Sequence, residues 1–477
     1  MITAASSGSG KTMITCGLLE LFKRKGLNPL ACKCGPDYID GLFHKQVLEL
    51  EGMNLDSYFE APEELRDKYS RLSKGHLPVV EGVMGYFDGL GGVSLRGSSF
   101  EIGNILGLPA ILVVDGRGAS LSLMALIQGF LEYDVTADAK NEKKTREKKT
   151  CEKKTRNIRG IFFNRMSSMI YNRLKPMVEE RFQIPVIGYL PELKFLQVGS
   201  RHLGLVLPEE IAGLREQMNR LGKCLEETID WEFLEELGAE KEGRDALEEE
   251  NTEASCTAAF SFRLGIAMDE AFCFYYQDNL RLLERLGGEL VYFSPIHDRS
   301  LPEQLDGLIL GGGYPELYCE ALSLNESMRE SVKKAAEGGL PVLGECGGYL
   351  YLLEELEAED GRIWPMTGVL KGKGYKKGKN SRFGYIGVEA EKDSLYLKPG
   401  EQIRGHEFHY WDCEVLEEEW VMRAKKPVGN RSWPCIRIKN QVMAGFPHLF
   451  YPSCPAFAVR FAKACVRYKR KRDEAEE

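Results

Sequence analysis

One cysteine in the sequence stands at a spacing suited to nucleophilic attack. In Leu340–Leu353 (LPVLGECGGYLYLL), the apolar run Leu340–Leu343 predicts a buried strand, Gly344–Gly348 a tight turn, and Tyr349–Leu353 the start of a helix. Cys346 falls at the corner, with a glycine two residues away on each side, the G-x-C-x-G form of a nucleophile elbow. A thiol there stands at the top of a sheet, where a helix N-terminus favours the thiolate. A buried structural cysteine is the plainer alternative, but it has no need of flanking glycines. A cysteine nucleophile needs a base. Among seven histidines, His448 follows a predicted strand, Gln441–Ala444, in the same part of the chain. The triplet Gly311–Gly313 follows the predicted strand Leu305–Leu310. The N–H groups of Gly312 and Gly313, with that of Gly347, form a candidate oxyanion hole; the alternative is a plain tight turn. Arg404, His406 and His409 lie in RGHEFHY. The H-x-x-H spacing invites a metal reading, but flanking arginine and aromatic residues fit a wall for an anionic organic ligand better, with packed histidines as the alternative.

A second chemistry lies at the N-terminus. Ala5–Thr12 (ASSGSGKT) aligns with the phosphate loop G-x-x-x-x-G-K-[ST], with Ala5 in place of the first glycine. Ser7, Gly8, Ser9 and Gly10 can aim N–H groups at a phosphate, Lys11 adds a positive charge, and the Thr12 hydroxyl is placed for Mg²⁺. Asp37 and Asp40 follow the predicted strand Pro29–Lys33 and suit Mg²⁺ or a substrate contact, while Lys33 can reach a phosphate. The predicted strand Leu77–Glu81 ends in an acid, the usual position for a second Mg²⁺ anchor, and Asp88 in the following loop can touch substrate.

These residues need a sheet to hold them. Pro109–Asp115, Arg159–Asn164 and Pro185–Leu190 read as further strands, alternating with helical stretches such as Thr12–Arg24. The pattern is α/β, a parallel sheet with its ligands at the strand C-termini. Glu142–Arg156 is three copies of EKKT followed by one residue, and marks a charged insertion at 138–157. Residues 226–261 are acidic and weakly patterned, which predicts a linker. A fresh α/β pattern follows: strands Arg263–Met268 and Leu290–Phe293, a helix within Phe274–Leu286, and a last helix from about Pro455. The predicted domains are therefore 1–225 and 262–477.

Composition narrows the partners. With 43% hydrophobic and 28% charged residues, the chain is ordinary for a globular protein. A net charge of −9 gives no pull toward nucleic acid or an anionic membrane. The thirteen scattered cysteines, with no CxxC pair, predict free thiols in a reducing cytoplasm. No run approaches the roughly 20 apolar residues that span a bilayer, and no signal-peptide pattern follows Met1.

Taken together, SSGSGKT, GPDYID, NLDSY, VEGVMGYFDG, GGGYPEL, ECGGYLYL, RFGY, RGHEFHY and the late His448 resemble the cobyrinic acid a,c-diamide synthase family, glutamine-dependent amidoligases of corrinoid synthesis. The resemblance implies an N-terminal domain similar to dethiobiotin synthetase and a C-terminal class I glutamine amidotransferase-like (flavodoxin-like) domain. It implies that Cys346 attacks the glutamine amide with His448 as base, and that Lys11 and Thr12 hold ATP and Mg²⁺. Asp37, Asp40, Glu81 and Asp88 match positions tied to metal, substrate and phosphoryl transfer, with Thr12, Asp37 and Glu81 as metal ligands. Ammonia then converts corrinoid acyl phosphates at the a and c side chains to amides. Phe450 stands where many class I amidotransferases carry an acid, which leaves Cys346–His448 a dyad. The partners implied are cobyrinate, L-glutamine and ATP, and a homodimer is compatible with them. Hydrogenobyrinate and nickel sirohydrochlorin are alternative substrates. A reading from another class is a P-loop switch ATPase fused to an inactive amidotransferase-like module.

Overall fold

The computed structural model describes residues 1–133, 157–196, 208–239, 260–377, 382–414 and 420–476. The EKKT repeat and residues 240–259 of the expected linker lie outside them. The chain divides into two compact units, Met1–Glu250 and Asn251–Glu477. No helix among the described residues is long and apolar enough to cross a membrane.

The first unit is built on seven strands: β1 (Ile2–Ala4), β2 (Pro29–Cys34), β3 (Gly52–Leu55), β4 (Leu77–Glu81), β5 (Ala110–Asp115), β6 (Ile158–Asn164) and β7 (Val186–Leu190). All pair in parallel, in the order β3-β2-β4-β1-β5-β6-β7. The strands read as continuous apolar runs because helices cover both faces. The order sets the ends of β2, β4, β1, β5 and β6 side by side, which gathers the predicted phosphate and acid positions at one edge. The helix Lys11–Arg24 buries Ile14, Leu18 and Leu21 on the sheet. It also meets the helix Pro208–Thr228 closely: a Cβ on Gly17 would stand 2.5 Å from Leu225 Cδ1.

The linker expected to begin at 226 is corrected. Pro208–Thr228 runs through that boundary, and Trp231–Ala239 is a further helix. Its Trp231, Phe233, Leu234 and Leu237 pack on the first unit's core. The surrounding glutamates had hidden that apolar face.

The second unit has strands β8 (Phe262–Ala267), β9 (Phe272–Phe274), β10 (Gly288–Phe293), β11 (Gly307–Leu310), β12 (Gly312–Gly313), β13 (Val342–Glu345), β14 (Glu355–Glu357), β15 (Ile363–Pro365) and β16 (Lys373–Lys376). They are followed by β17 (Phe383–Ala390), β18 (Gln402–Phe408), β19 (Trp411–Glu414), β20 (Trp420–Lys425), β21 (Ser432–Lys439), β22 (Val442–Gly445) and β23 (His448–Leu449). The main sheet runs β10-β8-β11-β13-β22-β21-β20-β17-β18-β23. From β10 to β22 it is parallel, and from there it continues antiparallel. Phe457, Phe461 and Cys465 of the helix Pro455–Glu476 pack with Leu264 and Ile266 in one core. Met328, Val332 and Ala336 of Glu326–Glu337 pack with Leu308 and Val342 in another.

Candidate active sites

In the first unit, the phosphate loop leaves the short central strand β1. Gly8 (φ 78°) and Gly10 (φ 96°) carry left-handed backbone that other residues avoid. Ala5 has no positive φ, which is why alanine replaces the first glycine of the motif without strain. The Lys11 ammonium donates to the carbonyls of Ser6 (3.0 Å) and Met84. Burial lowers its pKa, against the pull of Glu81.

Lys33 and Glu81 face each other in the β2–β4 register, and Lys33 Nζ lies 2.6 Å from Glu81 Oε1. The same ammonium pairs with Asp40 and stands 3.8 Å from Asp37. Burial opposes the charge on Lys33, but Glu81, Asp40 and Asp37 more than offset it, so its pKa is raised. The Thr12 hydroxyl donates to Glu81 Oε1 at 2.5 Å. Glu81 is fully buried, and its Oε2 has no hydrogen-bond partner among the described residues. An orphaned buried carboxylate oxygen is what a cation would satisfy, so Thr12 and Glu81 fit Mg²⁺. Asp37 is committed elsewhere: its Oδ1 accepts the N–H groups of Ile39 and Asp40 at a helix start. Among the described residues no cluster of three His, Cys, Asp or Glu could hold a metal. Asp88 accepts the Gly85 N–H of its own loop at 2.9 Å and acts on Lys11 through its charge.

Sequence reasoning passed over three residues here. Asn164, at the end of β6, donates to Ser9 O at 2.9 Å. Arg165 reaches Gly8 O (2.7 Å) and pairs with Asp115. Asn54 on β3 donates to the carbonyls of Gly35 and Asp37, 2.9 Å each, and shapes the acidic loop. Asn164 and Arg165 carry only their position at or near a strand's C-terminal end, and Asn54 opens the motif NLDSY.

In the second unit, Cys346 follows β13 with φ 49° and ψ −101°. Here the nucleophile, not a glycine, carries the strained corner, as a nucleophile elbow requires. The flanking glycines serve contact. A Cβ on Gly344 would stand 2.6 Å from Leu352 Cδ1, and one on Gly348 would stand 2.0 Å from Leu310 O. Gly348→Ala is therefore expected to destabilise this unit by about 3 kcal/mol or more, read as a lowered melting midpoint. The Cys346 N–H donates to Gly445 O at 2.8 Å and ties the elbow to β22.

The glycine triplet closes around this corner. Gly348 N–H donates to Gly311 O at 2.8 Å, and a Cβ on Gly347 would lie 3.0 Å from Gly313 N. A Cβ on Gly312 would lie 2.2 Å from His448 Cε1. Gly312, Gly313, Gly347, Cys346 and His448 are thus brought together. Tyr275, which the sequence reading missed, accepts the Gly311 N–H at 2.9 Å and holds the triplet from behind.

The thiol is not preset as a thiolate. Burial pushes the Cys346 pKa up, and Glu316 and Glu407 add to it. The helix behind it spans only Gly347–Leu352, and its N-terminal field does not overcome desolvation. His448 is buried and held neutral, its pKa lowered to about 3, by burial first and then by His409. A neutral imidazole can accept the thiol proton.

Of the wall expected at Arg404, His406 and His409, both histidine side chains are buried. His406 stacks on His448 (ring centroids 4.9 Å apart, 18° between planes), and its Nδ1 is 2.7 Å from Tyr276 Oη. His409 stacks on Phe446 at 4.0 Å, with its nitrogens toward Trp411 O and Glu407. Arg404 is half-buried on β18, two residues before His406 on the same strand. Every cysteine among the described residues is a free thiol.

His448 also makes a pH signature. Its folded pKa, about 3, lies below its ordinary value of about 6.5, so the unfolded chain takes the proton first. The stability this contributes is present above about pH 6.5 and is lost as pH falls toward 3. Wild type is expected to lose about 2 kcal/mol relative to His448→Gln between pH 7 and pH 5, read from urea midpoints. Parallel pH profiles would contradict it.

A phosphate loop on one parallel sheet and a cysteine elbow on another define a nucleotide-binding domain joined to a glutamine amidotransferase. The comparisons agree. Residues 1–205 match the CobQ/CobB/MinD/ParA nucleotide binding domain, and residues 263–453 match the CobB/CobQ-like glutamine amidotransferase domain. The chain is 35% identical to a cobyrinate a,c-diamide synthase of Caldanaerobacter subterraneus subsp. tengcongensis, covering 99% of each. It is 36% identical to that of Clostridium tetani, over 94% of this chain and 96% of the relative, and 35% identical to that of Salmonella typhimurium, over 98% of each. The chain belongs to the cobyrinate a,c-diamide synthase family and is a glutamine-dependent amidoligase.

Proposed function

We propose that this protein amidates the a and c carboxylates of cobyrinate with ammonia drawn from glutamine. The observation that carries this reading is the presence, in one chain, of a formed phosphate loop with Thr12 bonded to Glu81 and a formed elbow at Cys346, whose neighbour Gly347 lies against Gly313 and where Gly312 lies against His448. In the second unit, Cys346 attacks the glutamine amide and His448 takes the thiol proton. The N–H groups of Gly347, Gly312 and Gly313 receive the oxyanion, His448 returns the proton to the nitrogen as ammonia leaves, and water cleaves the thioester to release glutamate and restore the thiol.

In the first unit, the loop Ser7–Gly10 and Lys11 cradle the ATP phosphates. Mg²⁺, when bound at Thr12 and Glu81, supplies charge neutralisation at the phosphates. Lys33, paired with Glu81 and Asp40, meets phosphoryl charge in this reading. A corrinoid carboxylate takes the γ-phosphoryl group and ADP leaves. Ammonia attacks the acyl phosphate, phosphate leaves, and an amide forms. The free thiols fit work in a reducing cytoplasm.

The test is product mass after incubation of cobyrinate, glutamine and MgATP with the protein. Two successive amide substitutions are the expected result. No amide from cobyrinate, with amide formed on hydrogenobyrinate or nickel sirohydrochlorin, would move the substrate to that tetrapyrrole. ATP hydrolysis without glutamine hydrolysis on any of them would favour a switch ATPase.

A further inference from the structure

The base His448 has Phe450 two residues on, packed against Tyr276 at 5.5 Å, so no carboxylate reaches the imidazole from that position. A carboxylate instead sits beside the nucleophile. Glu345 ends β13, immediately before Cys346. Its Oε1 accepts the hydroxyl of Tyr451, three residues after His448, at 3.0 Å. The segment is held from its other side by Asn279. Asn279 Nδ2 donates to Leu449 O at 2.7 Å, and its Oδ1 accepts the Tyr451 N–H at 2.8 Å. Tyr451 and Asn279 are buried. Glu345 is therefore bonded covalently to the nucleophile on one side and, through the Tyr451 hydroxyl, to the segment that follows the base on the other.

We propose that Glu345 is a positioning residue that sets Cys346 against His448. In a Ser-His-Asp triad the acid orients the imidazole by binding its ring. Here Glu345 holds Tyr451, Asn279 bonds the backbone on either side of Phe450, and the stacked His406 and the close Gly312 fix the ring plane. The role needs acceptor oxygens rather than charge, so glutamine can replace glutamate. It rests on the glutamine hydrolysis assigned above to Cys346.

The test compares glutamate release by the full chain as wild type, Glu345→Ala, Glu345→Gln and Tyr451→Phe, with ammonia-dependent amidation measured alongside. Because a misplacement of about 1 Å can cost a hundredfold, Glu345→Ala is expected to lose about 30- to 100-fold in kcat with KM for glutamine within about threefold. Glu345→Gln is expected to stay within about threefold of wild type, and Tyr451→Phe to lose about three- to tenfold. Ammonia-dependent amidation should be unchanged in all three. Wild-type kcat in Glu345→Ala would overturn the proposal, as would equal losses in Glu345→Ala and Glu345→Gln, or a parallel loss of ammonia-dependent amidation. If Glu345→Ala does not fold, wild-type kcat in Tyr451→Phe would overturn it. Failure of the underlying reading shows separately, as no glutamate release by wild type.

Discussion

Replacing Cys346 with alanine is expected to lower glutamine-dependent amidation by about a thousandfold or more, because no other group can form the thioester. The methyl group removes the sulfur but keeps the corner, since Ala and Cys share the same backbone demands at φ 49°. Amidation from free ammonium salt should stay within about twofold of wild type, because the P-loop chemistry lies in the other unit. The measurement is amide formed per minute from glutamine and from ammonium chloride, each with MgATP. Residual glutamine use near the wild-type rate would remove Cys346 from the chemistry. A matching loss with ammonia would mean that the substitution damages more than the glutaminase.

Gly10→Ala is expected to have the largest effect in the first unit. Gly10 carries φ 96°, and a Cβ there would stand 2.1 Å from Asn164 Nδ2. Asn164 is fully buried and bonded to Ser9 O, so it cannot swing aside. The strained backbone costs about 1–2 kcal/mol and the overpacking about 1–3 kcal/mol more, and both fall on the loop whose N–H groups must converge on phosphate. ATP affinity should drop by about a hundredfold or more, measured by calorimetric titration with MgATP. Glutamate release should persist. Wild-type ATP affinity would show that the loop does not hold the nucleotide.

Much of both sites was legible because backbone geometry writes itself into glycine spacing. The elbow was found from Gly344 and Gly348, yet neither needs its glycine for a positive φ. Leu352, Ala444 and Leu310 O crowd them, which only the packed sheet reveals. Leu77–Glu81 matches β4 because a short apolar run ending in an acid has few other readings. The burial of His406 depends on β18 pairing with β17 and β23, contacts far apart in sequence. The antiparallel strands β17 to β21 were missed for the same reason. Tyr275 carries no local signal, and Glu345 and Asn164 carry only their place at a strand's end. A glutamate beside the nucleophile means little until Tyr451, more than a hundred residues on, folds back to it.

The central claim is that two chemistries meet in one product: phosphoryl transfer from the P-loop unit and ammonia from the cysteine unit. It is tested most directly by running wild type on cobyrinate with ¹⁸O in its carboxylates, glutamine labelled with ¹⁵N in its amide, and MgATP. Acyl-phosphate chemistry predicts that, for each amide formed, one ¹⁸O appears in inorganic phosphate and one ¹⁵N in the corrinoid. Amide formation with no ¹⁸O in phosphate would contradict the phosphoryl step, and amide nitrogen without ¹⁵N would contradict the glutamine source.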